Sequence, residues 1–331
     1  MRLLILGGTI FVGRHLTQAA LEAGHDVTLF NRGQTNPELF PEVERIEGDR
    51  HRDLGRLKDY TWDAVLDTCG YTPEAVGSAA ATLSGRCRHY TLISTLSVYQ
   101  DSSQPGLTEE SAVGQLPAGA KHEVNGETYG PLKALAEQAP RLHFDGEVLV
   151  LRPGLIVGPY DPTERFTYWP RRLARHGEVL APGEPERRVQ YIDVRDLAAW
   201  TLTMVESGKS GTFNVTGPKQ PLSMATFLAE CAQAVDAEPA FTWVPERFLV
   251  EAGVAPFTGL PLWLPQELNG LLEVKVDKAF AAGLTCRSPA ETAADTYAWD
   301  QQRGGPIHRG PGIDPARELA LLQAWHAKNA S

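Results

Sequence analysis

Residues 3–13 read LLILGGTIFVG, and the fold turns on this stretch. The apolar run from Leu3 to Leu6 passes directly into two glycines. Apolar residues then recur at Val12, Leu16, Ala19, Ala20 and Ala23, with helical spacing, as far as Gly24. A short apolar run without polar alternation fits a strand buried on both faces, as in parallel sheets. A helix that starts right after such a strand presents unpaired backbone N–H groups and the positive end of its dipole, which suits a phosphate. Gly7 allows the tight turn and Gly13 lets the helix pack close to the sheet. The dinucleotide-binding spacing GxxGxxG would place another glycine at position 10, where the chain has Ile10, while Gly8 is extra. Alone, this turn is a weak motif, equally compatible with an α/β turn that holds no ligand.

Further strand-like runs follow at DVTLF (26–30), VERIEGD (43–49), WDAVLDTCG (62–70), HYTLISTLSVY (89–99) and EVLVLRPGLIVG (147–158). Helical stretches such as PEAVGSAAATL (73–83) separate them. Strands alternating with helices predict an α/β fold, a Rossmann-type doubly wound parallel sheet. Between Gly158 and Arg188 proline, aromatics and arginine become dense, which reads as an inserted substrate-binding region. VQYIDVRDLAAWTLTMV (189–205) and GTFNVTG (211–217) read as a return to the main sheet. A smaller C-terminal lobe then follows, with a Gly/Pro-rich connection at 301–315 and a last helix whose apolar residues are Leu319, Leu322 and Trp325. The expected division is a dinucleotide-binding domain over 1–158 plus about 189–216, and a substrate lobe over 159–188 plus 217–331.

With 331 residues, 42% hydrophobic and 22% charged, the chain has ample capacity for a core. Its formal net charge of -10 argues against nucleic acid as the main partner, although RRLARHGEV (171–179) is locally basic. Cys69, Cys87, Cys231 and Cys286 form no CxxC pair and have no histidine at zinc-ligand spacing. They read as isolated thiols, with no metal site. No secretory leader or bilayer-length apolar run is visible, so a cytoplasmic protein without a membrane is expected.

The second strand ends in FNRGQ, with Asn31 and Arg32 where NAD-binding folds usually place an acid for the ribose hydroxyls. A guanidinium there suits a 2′-phosphate, which favours NADP over NAD. Asp49, after the third strand, either reaches an adenine amino group or caps the segment that follows. Tyr129 and Lys133, in YGPLK, share one helical face, and Pro131 fits only near the helix start. An ammonium beside a phenol lowers the phenol's pKa and makes it a proton carrier near neutrality. Thr95, at the end of the fifth strand, is placed to bind the same substrate oxygen.

Taken in order, GGTIFVG, EGDRHRDL, LISTLSVY, YGPLK, LRPGLIVGPYD, QYIDVRDLA and FNVTG resemble an extended short-chain dehydrogenase/reductase of the NAD-dependent epimerase/dehydratase type. The chain is most similar to an atypical subgroup whose glycine motif is GGxxxxG, which Gly7, Gly8 and Gly13 match. The resemblance implies a catalytic set of Thr95, Tyr129 and Lys133. Tyr129 would be the general acid/base, Lys133 would hold the nicotinamide ribose, and Thr95 would orient the substrate oxygen. It also implies an NAD(P) site built from Gly7, Gly8, Thr9, Ile10, Phe11, Val12, Gly13, Asn31, Arg32 and Asp49, with Pro153 near the nicotinamide. Dimers are common among such relatives, so a homodimer is an expectation.

Sugar-nucleotide members carry an asparagine after the sixth strand, where this chain has Gly154, so their substrate is not inherited with the fold. Arg165, Arg187 and Arg188 are candidates for an anionic small-molecule substrate. The subgroup also resembles chloroplast stem-loop RNA-binding proteins. The alternative is therefore a non-catalytic nucleotide-sensing or RNA-binding scaffold. Asp196, in RDL, reads as a structural residue at a helix start.

Overall fold

The structure, a computed structural model, describes residues 1–305 and 310–329. The chain forms β1 (Arg2–Leu6), α1 (Phe11–Glu22), β2 (Asp26–Asn31), β3 (Glu44–Glu47), β4 (Ala64–Asp67), α2 (Pro73–Leu83), β5 (His89–Ile93), α3 (Tyr129–His143), β6 (Glu147–Pro153) and β7 (Ile156–Val157). It continues with α4 (Tyr168–Leu173), β8 (Glu178–Pro182), β9 (Arg188–Asp193), α5 (Val194–Glu206), β10 (Gly211–Val215), β11 (Gly217–Ser223), α6 (Met224–Ala234) and β12 (Ala240–Val244). The last elements are α7 (Glu246–Glu251), α8 (Asp277–Ala281), α9 (Pro289–Gln302) and α10 (Pro315–Asn329).

Seven strands pair in the order β10-β6-β5-β4-β1-β2-β3, every pair parallel. Alternate side chains of each strand feed opposite layers. Leu3 and Ile5 pack with Leu16 and Ala20 of α1 and Leu197 of α5. Leu4 and Leu6 pack with Val76 of α2 and Ala136 of α3 on the other face. Both faces are dry, which is why β1 is an unbroken apolar run. Each buried Leu or Ile stabilises the sheet by roughly 1.5–3 kcal/mol. A separate apolar cluster, including Phe166, Trp169, Phe227 and Trp263, fills the region built from β8, α4 and α6.

β9 does not return to the main sheet. It pairs with β7 and β11 in a three-stranded sheet, and only β10 rejoins the main one, beside β6. β7 is two residues long, too short to be seen as a pairing partner from the sequence. In α10, Leu319 is exposed while Leu321 and Leu322 are buried. No helix among the described residues is long and apolar enough to cross a membrane.

Candidate active site

The chain runs outward from β1 through β2 to β3, then crosses back to β4 and runs the other way. Ligands of open α/β sheets bind at such a switch point, beyond the carboxyl ends of the strands. A cleft of about 470 Å³ lies there. Its walls are residues 7–13 after β1, residues 31–35 after β2, residues 48–51 after β3, and Thr68, Cys69 and Tyr71 after β4, closed by Pro162.

Three glycines shape its floor. Gly7 (φ +109°) and Gly8 (φ +96°) adopt backbone conformations that L side chains rarely reach. A Cβ on Gly13 would stand 2.6 Å from the Gly8 nitrogen, so the helix packs directly on the turn. Ile10 is the N-cap of α1, 52% exposed, and its side chain makes no demand that only glycine could meet. The turn takes its left-handed backbone from Gly7 and Gly8, with none required at position 10. The first turn of α1 holds no acid and no side chain caps it, which leaves its N–H groups and positive dipole end to a ligand. Beside it, Arg50 Nε is buried without a hydrogen-bond partner. These features fit the pyrophosphate and ribose of a dinucleotide.

Asn31 fixes the turn. Its amide donates to the Gly7 carbonyl at 2.7 Å and its side-chain oxygen accepts from Gly33 N–H at 3.0 Å. Arg32 is exposed on the cleft wall and makes no hydrogen bond or ion pair among the described residues. Asp49 accepts from His51 N–H at 2.9 Å and pairs with Arg52 at 3.3 Å, so it caps its own loop while lining the cleft.

Sequence reasoning missed what lies beneath. Arg50 meets Asp67 with two hydrogen bonds, 2.7 and 2.8 Å, and Tyr90 donates to the same carboxylate at 2.7 Å. Arg50 also touches Cys69 Sγ at 3.2 Å. An aspartate at the end of an otherwise apolar strand, VLD, was the available signal, because a buried charge requires a partner.

Thr95 and Tyr129 come together at the ends of β5 and the start of α3. A Cβ on Gly130 would meet the Ser97 carbonyl at 2.1 Å, so α3 begins hard against the turn that carries Thr95. Burial pushes the Tyr129 phenol above its ordinary value, and the facing Thr95 hydroxyl and Arg165 guanidinium pull it partly back. Lys133 does not supply that pull. Its ammonium is buried and donates to the carbonyls of Gly70 and Ile93, both at 2.7 Å. Burial lowers it to about 8, against the opposing charges of Asp67 and Glu137. The expected phenol–ammonium coupling is therefore replaced by a phenol–guanidinium one. Glu137 is itself held by Arg152 at 2.7 Å and by Ser94 at 2.5 Å. Tyr71, on the cleft wall, has the Lys133 ammonium 5.6 Å from its ring centroid, whereas Thr95, Tyr129, Lys133 and Pro153 are not among the residues that line the cleft. Pro153, next to Arg152, ends β6 buried.

The arginine candidates separate. Arg165 donates to Thr163 Oγ1 at 3.0 Å and lies over the Phe257 ring, and its charge lowers the Tyr129 phenol. Arg187 instead pairs with Glu246 at 2.6 Å and donates to the Leu264 carbonyl, a structural role. Arg188 is exposed where β9 begins and does not line the cleft. The basic run 171–179 is not a free patch either: Arg171 pairs with Asp300 and Arg172 with Glu318. Asp196 accepts from the backbone and side chain of Arg287, as a structural residue would. The four cysteines are free, and among the described residues no group of acids, histidines and cysteines could hold a metal.

The chain is 27% identical over 243 residues to a chloroplast stem-loop binding protein of 41 kDa from Arabidopsis thaliana, a match covering 66% of this chain and 59% of that protein. It is 28% identical over 261 residues to 2-alkyl-3-oxoalkanoate reductase from Stenotrophomonas maltophilia, covering 72% and 76%. The structure of UDP-glucuronic acid 4-epimerase from Bacillus cereus in complex with NAD superimposes with a TM-score of 0.65 at 15% identity, covering 92% of this chain and 99% of that one. The sequence matches the NAD dependent epimerase/dehydratase family over residues 3–86 and 74–216. With most of its length so matched, and a glycine-floored cleft at the switch point of its sheet, the chain belongs to the NAD dependent epimerase/dehydratase family.

Proposed function

We propose that the protein is an NAD(P)-dependent oxidoreductase, epimerase or dehydratase acting on a carbonyl or hydroxyl of a small molecule through Thr95, Tyr129 and Lys133. The observation that carries this reading is a cleft at the switch point of the sheet whose floor suits a pyrophosphate, in a protein that also brings Thr95 and Tyr129 together beyond β5. Gly7, Gly8 and the first turn of α1 would hold the phosphates, Arg32 a 2′-phosphate, and Lys133 the nicotinamide ribose. When bound, the nicotinamide supplies or accepts a hydride at the substrate carbon. Tyr129, protonated at neutral pH, passes its phenolic proton to the substrate oxygen in the reducing direction and recovers it in the reverse. Thr95 hydrogen-bonds the same oxygen and orients it. Arg32 in place of an acid supports NADP over NAD.

Calorimetric titration of nucleotide-stripped protein with NADP⁺ and with NAD⁺ tests the reading. NADP⁺ binding more tightly than NAD⁺ is expected. Failure of both to bind defeats it. The likeness to the Arabidopsis stem-loop binding protein carries a second reading, an RNA-binding scaffold. The net charge of -10 weighs against it. Salt-sensitive binding of a stem-loop RNA by protein that binds neither nucleotide would favour it.

A further inference from the structure

Two non-glycine residues beside the cleft hold left-handed backbones. Phe11, the first residue of α1, has φ +31°, and Tyr160, shortly after β7, has φ +68°. An L side chain keeps such a conformation only where its surroundings impose it, and such residues gather at ligand clamps. Here a run of rings imposes it. The Phe11 ring meets His15 edge-on, 6.3 Å between centroids, and His15 lies 5.9 Å from the Tyr160 ring. His15 Nε2–H donates to the Pro159 carbonyl at 3.0 Å, and the Arg14 guanidinium lies 3.4 Å over the Tyr160 ring. Behind Tyr160 stands Trp299 of α9, 5.4 Å away, itself covered by Arg303, which pairs with Glu164 at 2.7 Å.

This run meets the cleft twice. Phe11 lines it within the turn 7–13, and Pro162, two residues past Tyr160, closes it. Tyr160 is 39% exposed, so filling a core does not explain its ring. Its contacts fall on Arg14 and His15, at the start of the helix whose first turn no side chain caps. An anion site that is preset binds without the cost of ordering it. Resting on the proposed function, we infer that Tyr160 is a positioning residue for the cofactor pyrophosphate: by clamping Arg14 and His15 it holds Phe11, and with it the phosphate-binding turn, in the geometry that binds.

Hydrogen exchange of the nucleotide-stripped full chain, with calorimetry using NADP⁺, NAD⁺ and inorganic pyrophosphate, tests this. Exchange is read at the first hydrogen-bonded amides of α1, beginning with Arg14 N–H on the Ile10 carbonyl, and at β6 as a reference. In Tyr160→Leu the α1 amides are expected to exchange about tenfold faster with β6 unchanged, and NADP⁺ and pyrophosphate to bind about tenfold more weakly, the equivalent of about 1.4 kcal/mol. Tyr160→Phe keeps the ring and is expected to match wild type throughout. Unchanged α1 exchange in Tyr160→Leu, equal acceleration in α1 and β6, or unchanged affinity for whichever of NADP⁺ and pyrophosphate the wild type binds overturns the inference. So does a Tyr160→Phe that behaves as Tyr160→Leu does. A wild type that binds pyrophosphate and neither nucleotide counts against the proposed function alone, and one that binds none of the three defeats both.

Discussion

Arg50 and Asp67 meet fork to fork beneath the cofactor cleft, with side chains 9% and 0% exposed. Removing one partner of a buried pair strands the other charge, which costs about 3–5 kcal/mol. Asp67→Asn keeps the shape and leaves Arg50 uncompensated, so its urea midpoint at neutral pH should fall by that equivalent. Burial pushes the Asp67 carboxyl up, but Arg50 and Tyr90 more than reverse this and hold it below its ordinary 3.8. A depressed carboxyl contributes stability that is complete above the unfolded value and lost as pH falls through the folded one. The gap between wild type and Asp67→Asn should therefore close below about pH 3.8. A gap that persists unchanged in acid would mean that the charge on Asp67 is not what stabilises.

Much of the fold was legible because parallel strands announce themselves. The apolar run 3–6 falls inside β1, one residue short of its start, and PEAVGSAAATL is α2 to the residue. The places of Gly7, Gly8 and Gly13 in a turn, of Thr95 just past β5 and of Tyr129 at the start of α3 were legible because turns and strand ends impose residue types. Pairings across long sequence gaps were not. Arg187 read as a substrate ligand because Glu246 lies 59 residues away, and Lys133 read as a neighbour of the Tyr129 phenol because helical spacing fixes a face but not where a flexible chain ends. The Gly70 and Ile93 carbonyls that hold it belong to other elements.

The glycine floor gives a paired prediction. Gly13→Ala forces a methyl against the Gly8 nitrogen. Overpacking of this kind costs roughly 1–3 kcal/mol, and the shifted turn should abolish NADP⁺ binding. Ile10→Gly restores the usual spacing and should change the NADP⁺ affinity little, because Ile10 is half exposed. Calorimetry on both variants checks this. A large gain for Ile10→Gly would show that the side chain obstructs the phosphates.

Arg32 stands free on the cleft wall. Arg32→Asp should weaken NADP⁺ by at least about tenfold, some 1.4 kcal/mol, and weaken NAD⁺ much less. Charge-assisted contacts to a phosphate are worth that much. Equal losses for both nucleotides would remove Arg32 from the 2′-phosphate.

The Tyr129 phenol, raised by burial, should stay protonated past its ordinary value of 10.0 in the cofactor-free protein. The near-ultraviolet titration of wild type minus Tyr129→Phe isolates its phenolate signal. No signal should develop before the exposed tyrosines have titrated. In Arg165→Gln, with the guanidinium gone, the signal should move to still higher pH. Phenolate at lower pH would mean that another cation reaches the ring.

Lys133 gives the alkaline counterpart of the Asp67 signature, a stability that again rises with pH. Its ammonium, lowered to about 8 by burial, is charged in both folded and unfolded protein below that value, and the folded state then bears the full cost of burying it. Between about 8 and its ordinary 10.5, the unfolded chain keeps a proton that the folded protein has released. Stability therefore rises with pH across this window, by up to about 3 kcal/mol at 1.36 kcal/mol per unit. Lys133→Met has no such proton to release. The urea midpoint of wild type relative to Lys133→Met should therefore rise from pH 8 towards pH 10.5. A flat difference would show that Lys133 keeps its ordinary pKa, and that the carboxylates of Asp67 and Glu137, despite their arginine partners, fully offset its burial.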